Sequence, residues 1–338
     1  MIIVMAAQAS PAHIDAVVAK IRAAGLSEHL SRGTERTIIG AVGDERVLSA
    51  DMFETMPGVE RAMRVLKDYR MVSREVRPDN TVVSVRGVQI GGAAIQLIAG
   101  PSAIESEAHM LALAARLQQS GIRLLRGGAY KPRTSPYAFQ GVGEAGLGYL
   151  RDAARRYGMP MVSELLDIRL LDTFLEHDVD VIQIGPRNMQ NVELLKEVGR
   201  INKPVLLHRG VASTLSEWLM AAEYIAIGGN HNIVFCERGV RSFDTASRHA
   251  LDISAIPLLK RETHLPVLVD PSHAGGRASL VAPLACAAIA AGADGLLLEV
   301  HDAPQHALCD AEQAITPDAL DELLATLRPL AAAVGRTL

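Results

Sequence analysis

From Ala94 onward the chain alternates short runs rich in Ile, Val and Leu with amphipathic stretches of helical length. The runs are Ile95–Ala99, Ile122–Arg126, Met161–Glu164, Val181–Ile184, Val205–His208, Ile233–Cys236, Val267–Asp270 and Leu296–Val300. Runs this short and this continuously apolar predict strands buried on both faces, as in a parallel sheet. Helical periodicity is readable between most of them, at Glu105–Gln119, Val192–Val198, Thr214–Ile225 and Leu280–Ala291. Eight strands, each followed by a helix, over about 240 residues predict a closed (β/α)8 TIM barrel at 94–338. An open doubly wound sheet would carry fewer strands.

The first 66 residues follow a different order. Strands at Ile2–Met5, Ser27–Ser31, Thr37–Val42 and Val59–Val65, with helices at Pro11–Ala24 and Ser49–Glu54, give β-α-β-β-α-β. That is the split motif of a ferredoxin-like α+β domain, a common small-molecule sensing module. Residues 67–93 read as linker and hairpin. The charged stretch up to Asn80 lacks periodicity, and Thr81–Val88 alternates like one arm of a hairpin.

Composition narrows the class. Hydrophobic residues make up 49% and aromatics only 4%, so the interior is aliphatic, as in a parallel sheet under Ala- and Leu-rich helices. A net charge of −4, with basic and acidic residues interspersed, argues against a nucleic-acid surface. The opening MIIVMAAQAS has no basic segment ahead of its apolar run and reads as a strand. The most apolar later run, Leu280–Gly292, is too short for a bilayer and contains Pro283. Cys236, Cys286 and Cys309 show no CxxC spacing, which fits a reducing cytoplasm and neither a disulfide framework nor a thiolate metal cluster.

The chemistry gathers at one loop and at the strand ends. Arg126 to Glu144 reads RGGAYKPRTSPYAFQGVGE, with Arg126, Lys131 and Arg133 as cations and Thr134 and Ser135 as hydroxyl donors. Gly127 and Gly128 would let backbone approach a ligand, and Pro132 and Pro136 would stiffen the loop. In this barrel ligands sit at the C-terminal strand ends. There the sequence puts Ser102, Arg126, Glu164, Arg187, His208 with Arg209, Glu237 with Arg238, His273 and Glu299. Arg126, Lys131, Arg133, Arg187 and Arg238 would converge on one mouth, more positive charge than one phosphate needs. The expected ligand carries several anionic groups, or there are two phosphorylated ligands. His273, Glu299 and Asp310 together offer imidazole and two carboxylates to one divalent cation, a mix that suits Mn, Fe or Zn.

At this point a family resemblance enters. GPSAIES, RGGAYKPRTSPYAFQGVGEAGL, IGPRNMQN, KPVLLHRG, EWLMAAEYI, CERGVRSFDTASRHALDISAIP, LPVLVDPSHAGGR and GLLLEVHDAP occur in this order. They resemble 3-deoxy-D-arabino-heptulosonate 7-phosphate (DAHP) synthase, in the short microbial form with an N-terminal ferredoxin-like regulatory domain. Octulosonate 8-phosphate synthases share parts of the barrel pattern. The resemblance implies an aldol-like condensation of phosphoenolpyruvate with erythrose 4-phosphate, the entry step of the shikimate pathway. It assigns Arg126, Lys131, Arg187 and Arg238 to the phosphoenolpyruvate phosphate and carboxylate. The segment from Lys131 through Arg133, Thr134 and Ser135 would hold the aldose phosphate, and Lys131, His208 and His273 would be the catalytic groups. It further implies a divalent metal (Mn, Fe, Zn, Co or Mg) on His273, Glu299 and Asp310, a Tyr or Phe effector near His29 and Ser31, and a homotetramer.

Two positions depart from the family pattern: Ser102 stands where the family has a cysteine metal ligand, and His208 where it has a lysine. A hydroxyl is a poorer ligand than a thiolate, so the site either takes a harder ion such as Mn or Mg or works without metal. Cys309 is not expected to replace the lost thiolate, since neighbours in extended chain point to opposite sides. Among crowded cations His208 is expected to stay neutral, as a hydrogen-bond donor or a proton shuttle. Three alternatives stay open beside the synthase. They are a paralogue using another aldose, a different barrel enzyme on phosphorylated sugars, and a weakly catalytic binding protein.

Overall fold

The computed structural model describes residues 1–33, 36–43, 48–63 and 68–338. The N-terminal part comprises β1 (Ile2–Met5), α1 (Pro11–Ala23), β2 (Ser27–Arg32), β3 (Thr37–Val42), α2 (Asp51–Glu54) and β4 (Val59–Met63). The end of the predicted strand Val59–Val65 lies outside the described residues. The sheet order is β2-β3-β1-β4, that of a ferredoxin-like domain. Alternation along β1 sends Met1, Ile3 and Met5 under α1, where they meet Ile14, Val17 and Ile21, while Ile2 and Val4 join the core shared with the barrel.

A hairpin follows, β5 (Val83–Val85) and β6 (Val88–Ile90). Its turn falls at Arg86 and Gly87, inside the stretch whose alternation predicts a single arm, because both residues take positive φ (43 and 84°) and close a two-residue turn. Val83, Val85, Val88 and Ile90 pack against the innermost side chains of the barrel, among them Ile98, Leu124, Val162 and Leu297. Burying each contributes roughly 1.5–3 kcal/mol and plugs the N-terminal end. Arg86 fastens the plug to Asp178 and Asp180, just ahead of the barrel's fourth strand.

The barrel strands are β7 (Gln96–Gly100), β8 (Leu124–Arg126), β9 (Met161–Glu164), β10 (Val181–Ile184), β11 (Val205–His208), β12 (Ile233–Glu237), β13 (Val267–Val269) and β14 (Gly295–Glu299). Around them run α3 (Glu107–Gln119), α4 (Glu144–Tyr157), α5 (Leu171–Glu176), α6 (Val192–Gly199), α7 (Leu215–Ile227), α8 (Ala255–Glu262), α10 (Ala278–Ala290) and α11 (Pro317–Ala333), with the short α9 (Pro271–Gly275) after β13. All the strand pairs are parallel, and β14 pairs with β7 to close the ring. Closure needs glycine at 295, where a Cβ would stand 2.2 Å from the Gln96 carbonyl oxygen. Asp270, predicted as strand, instead begins α9: its Oδ1 accepts the His273 backbone N–H at 2.8 Å, which sets His273 on the rim.

The segment from Tyr69 to Asn80 is tied to the barrel by buried polar groups. Glu223 of α7 accepts the Met71 and Val72 backbone N–H groups at 2.8 and 3.1 Å. His264 bridges Thr81 Oγ1 at 2.7 Å and the Met71 carbonyl at 3.0 Å. Burial, against the Met71 bond that favours the charged ring, lowers the His264 pKa to about 4. The unfolded chain takes up this proton near pH 6.5. The stabilisation is therefore present above 6.5 and is lost as the pH falls toward 4, by an amount on the order of 3 kcal/mol. In denaturant titrations between pH 7 and 4.5, His264→Gln is expected to flatten part of the wild-type decline; equal slopes would contradict this role.

Candidate active site

The C-terminal ends of the strands open on a cavity of about 780 Å³. Arg126, Lys131, Arg133, Thr134, Ser135, Glu164, Arg187, His208, Arg238, His273 and Asp310 all line it. The basic loop from Ala129 to Gly143 folds back on itself: Lys131 N bonds Gln140 O at 2.8 Å and Gly143 N bonds Ala129 O at 3.0 Å. A Cβ on Gly128 would lie 2.4 Å from the Ser102 carbonyl oxygen, so glycine here lets the loop approach the β7–α3 turn.

One polar cluster runs across the rim. Lys131 Nζ donates to Ser102 Oγ at 2.7 Å, and Ser102 Oγ donates to Asp310 Oδ2 at 2.7 Å. His273 Nε2 lies 3.7 Å from Asp310 Oδ2 and 3.7 Å from Glu299 Oε2, while its Nδ1 faces Asp270 Oδ2 at 2.8 Å. Burial alone would lower the His273 pKa, but Asp270, Asp310 and Glu299 carry it up. Burial opposes ionisation of Asp310 as well, yet His273, Lys131 and Ser102 hold it well below the usual carboxylate range. Glu299 is pushed up by burial. One ligand atom each from His273, Glu299 and Asp310 lies within 4.8 Å of the others. An imidazole backed by a second carboxylate, Asp270, is the usual dress of a metal-binding histidine, so this donor set fits a divalent ion.

Cys309 corrects the sequence reading. Asp310 takes φ 57°, so the chain here is not extended, and Cys309 Sγ turns toward Asp310 Oδ2 at 3.1 Å instead of away from it. Burial raises its pKa to about 11, which keeps it a thiol beside the cluster.

The cations wait for an anion. Arg126 is 4% exposed and Arg238 5%, and Nη1 of the first and Nε of the second have no hydrogen-bond partner. A buried guanidinium without a partner is costly, and a bound phosphate or carboxylate would satisfy it. Arg187 is exposed and donates to Thr134 Oγ1 at 3.1 Å. By contrast Arg209 is spent on a buried ion pair with Glu237 at 2.8 Å and on Asp252 at 2.9 Å. His208 is fully enclosed, and both its ring nitrogens lack partners. Burial first, then the charges of Arg238, His273 and Arg126, lower its pKa to about 3 despite Asp270, so it is neutral as the cation-rich sequence context predicts.

Known proteins carry the same pattern. The model of the DAHP synthetase I family matches residues 75–335. The chain belongs to this family. A second model, the DAHP synthase ferredoxin-like domain, matches residues 1–67. The phospho-2-dehydro-3-deoxyheptonate aldolase of Thermotoga maritima is 49% identical over 99% of both chains. Its crystal structure superposes with a TM-score of 0.79, at 48% identity, covering 99% of this chain and 98% of that one. A 2-dehydro-3-deoxyphosphooctonate aldolase of Syntrophotalea carbinolica is 34% identical over 74% of this chain and 95% of its own.

Within this DAHP synthetase I family chain, sequence reading missed two cavity cations, Arg241 and Arg248, and His249 beside them. All three sit in the irregular stretch after β12, which has no strand-end position to single it out; only its place in a quoted motif marks it. His29 and Ser31 lie at the other end of the barrel. Ser31 Oγ is 2.6 Å from Nε2 of His231, just ahead of β12, and His29 Nε2 is buried without a partner.

Proposed function

We propose that this cavity condenses phosphoenolpyruvate with erythrose 4-phosphate to give DAHP and inorganic phosphate, the first step of the shikimate pathway. The observation that carries the reading is the charge balance of the cavity. Setting the histidines aside, Arg126, Lys131, Arg133, Arg187, Arg238, Arg241 and Arg248 face Glu164, Asp270 and Asp310, an excess of four positive charges. Two phosphate monoesters and a carboxylate bring about four to five negative charges. One phosphorylated ligand would leave cations unmatched, at a cost in repulsion.

Arg126 and Arg238, buried with donors to spare, are read as holding the phosphoenolpyruvate phosphate and carboxylate together with Arg187 and Lys131. Arg133, Thr134 and Ser135 are read as holding the aldose phosphate. Fixing both ligands brings C3 of the enol phosphate to the aldehyde carbon despite their mutual repulsion. C3 attacks, the aldehyde oxygen takes a proton, water adds at C2 and phosphate leaves. Lys131, whose Nζ donates to Ser102 Oγ, is read as giving the proton to that oxygen. His208 is held neutral by burial first and by the surrounding cations second, and its unpartnered ring nitrogens are read as hydrogen-bonding the incoming water. A divalent ion held by His273, Glu299 and Asp310 would supply Lewis-acid polarisation of a carbonyl oxygen.

The ferredoxin-like domain is read as regulatory, with tyrosine or phenylalanine acting near His29 and Ser31, and the working unit as a homo-oligomer of four chains. Among the described residues no helix is long and apolar enough to cross a membrane.

The test is phosphate release from phosphoenolpyruvate, with and without erythrose 4-phosphate, in chelator and then in Mn, Fe, Zn, Co or Mg. Release that requires the aldose, falls in chelator and returns with metal is expected. Absence of turnover under every metal would overturn the reading.

A further inference from the structure

A second group of ligand-type side chains lies outside the cavity, where β7 and β14 are neighbours. Glu105 stands in the turn after β7, His109 in the first turn of α3, and His301 two residues beyond β14. One ligand atom from each lies within 4.8 Å of the others. His301 is 5% exposed, and its Nε2 has no hydrogen-bond partner; it faces Glu105 Oε1 at 3.5 Å. Neither ring nitrogen of His109 has one either, although Nε2 stands 2.9 Å from Asp302 Oδ1 without hydrogen-bond alignment. Two imidazoles thus lie against each other, ring centres 4.4 Å apart, with three of their four ring nitrogens lacking a hydrogen-bond partner.

We propose that Glu105, His109 and His301 form a second, outer site for a borderline divalent cation of the Zn2+ class, with Asp302 as its orienting group. Two imidazoles on one tetrahedral ion, at bonds of about 2.0–2.1 Å, place their ring centres about 5.2 Å apart, so the pair found at 4.4 Å has to open by about 0.8 Å. The three donors, already within 4.8 Å of one another, would have to draw in to the roughly 3.3 Å edge of a tetrahedron. A mixed imidazole and carboxylate set favours Zn2+, Co2+ or Ni2+ over Mg2+ or Ca2+. The tautomer is available as well. The Ala303 N–H is shared: it donates to His301 Nδ1 at 3.0 Å and to Asp302 Oδ1 at 3.1 Å, and Asp302 Oδ1 is 3.2 Å from that same Nδ1. With the Ala303 N–H on Asp302, His301 Nδ1 donates to the same carboxylate and the Nε2 lone pair is free for the ion, the usual second-shell arrangement of a metal-bound histidine.

The site has a structural consequence. Glu105 Oε1 accepts the Leu308 backbone N–H at 2.7 Å, one residue before Cys309 and two before Asp310. An ion on Glu105 and His301 would hold the turn after β7 to the turn after β14 and so steady the segment carrying Asp310. Its thiolate-free donor set also distinguishes it from any site that uses Cys309.

Equilibrium dialysis of the chelator-stripped full chain against micromolar free Zn2+, read by elemental analysis, tests this. Wild type is expected to hold one more equivalent per chain than His109→Ala, with a matching loss of cobalt d–d absorption that carries no sulfur charge-transfer band. Glu105→Gln, which keeps the acceptor for Leu308, is expected to weaken the same equivalent at least tenfold. His273→Ala is the control for the inner cluster. If that cluster binds no metal, wild type holds one equivalent, which His273→Ala keeps and His109→Ala loses. Equal stoichiometry and affinity in wild type and His109→Ala, whatever His273→Ala does, would overturn the proposal. Apo melting curves of both outer variants, expected to match wild type, separate loss of metal from loss of fold.

Discussion

Arg126→Met is expected to lower kcat/KM for phosphoenolpyruvate by about 10²–10³-fold while leaving the melting temperature unchanged or higher. Removing one partner of a buried, hydrogen-bonded charge pair costs about 2–5 kcal/mol, which sets the size of the loss. The stability half follows from the free protein. Arg126 is 4% exposed and its Nη1 has no partner, so the folded chain carries an uncompensated buried donor that methionine does not. Some of that relief is returned, because Arg126 also favours the charged forms of Asp270 and Glu299. A group kept for function at a cost in stability moves activity and melting in opposite directions. Kinetics beside calorimetry would show it. A variant that melts lower with kcat/KM intact would mean that Arg126 serves the fold and that the anion sits elsewhere.

Ser102→Cys is expected to raise affinity for Zn2+ and Co2+ at the inner cluster at least tenfold, about 1.4 kcal/mol. Ser102 Oγ already touches Asp310 Oδ2 at 2.7 Å, beside His273 and Glu299. The Lys131 ammonium, 2.7 Å from the same oxygen, would favour the thiolate over the thiol. Cobalt loading should then show a near-ultraviolet sulfur-to-metal band absent from wild type. Unchanged affinity with no such band would mean that the side chain at 102 does not face the ion, and that three ligands define the cluster.

Much of this was legible in the chain. Short, largely aliphatic runs such as Val181–Ile184 and Val205–His208 are strands with the bounds their pattern implies, because Asp180, Gly185 and Pro204 mark where the buried runs begin or end. Val267–Asp270 is one residue too long, since aspartate after a valine run caps a helix as readily as it ends a strand, and here it positions His273. The hairpin turn at Arg86 and Gly87 was hidden because alternation continues through it. For the site, strand-end position singled out Arg126, His208 and Glu299 but could not separate Arg209, committed to Glu237, from Arg238, free to meet a ligand. Cys309 turning onto its neighbour Asp310 was hidden because a positive φ at 310 breaks the extended pattern. Residues that meet only in space were invisible, as where His109 meets His301 across two neighbouring strands. Such contacts follow from ring closure, which pairs β14 with β7 and which no local period encodes.

The central claim is that the cavity joins a three-carbon enol phosphate to a four-carbon aldose phosphate. The relatives whose names end in octonate make the competing outcome concrete, since an eight-carbon product needs a five-carbon partner. The direct measurement gives the metal-loaded protein phosphoenolpyruvate with equal amounts of erythrose 4-phosphate and arabinose 5-phosphate and weighs the product by mass spectrometry. The expected result is a seven-carbon 3-deoxy-2-ulosonate phosphate formed one-for-one with inorganic phosphate. An eight-carbon product in excess, or phosphoenolpyruvate left unconsumed, would contradict it.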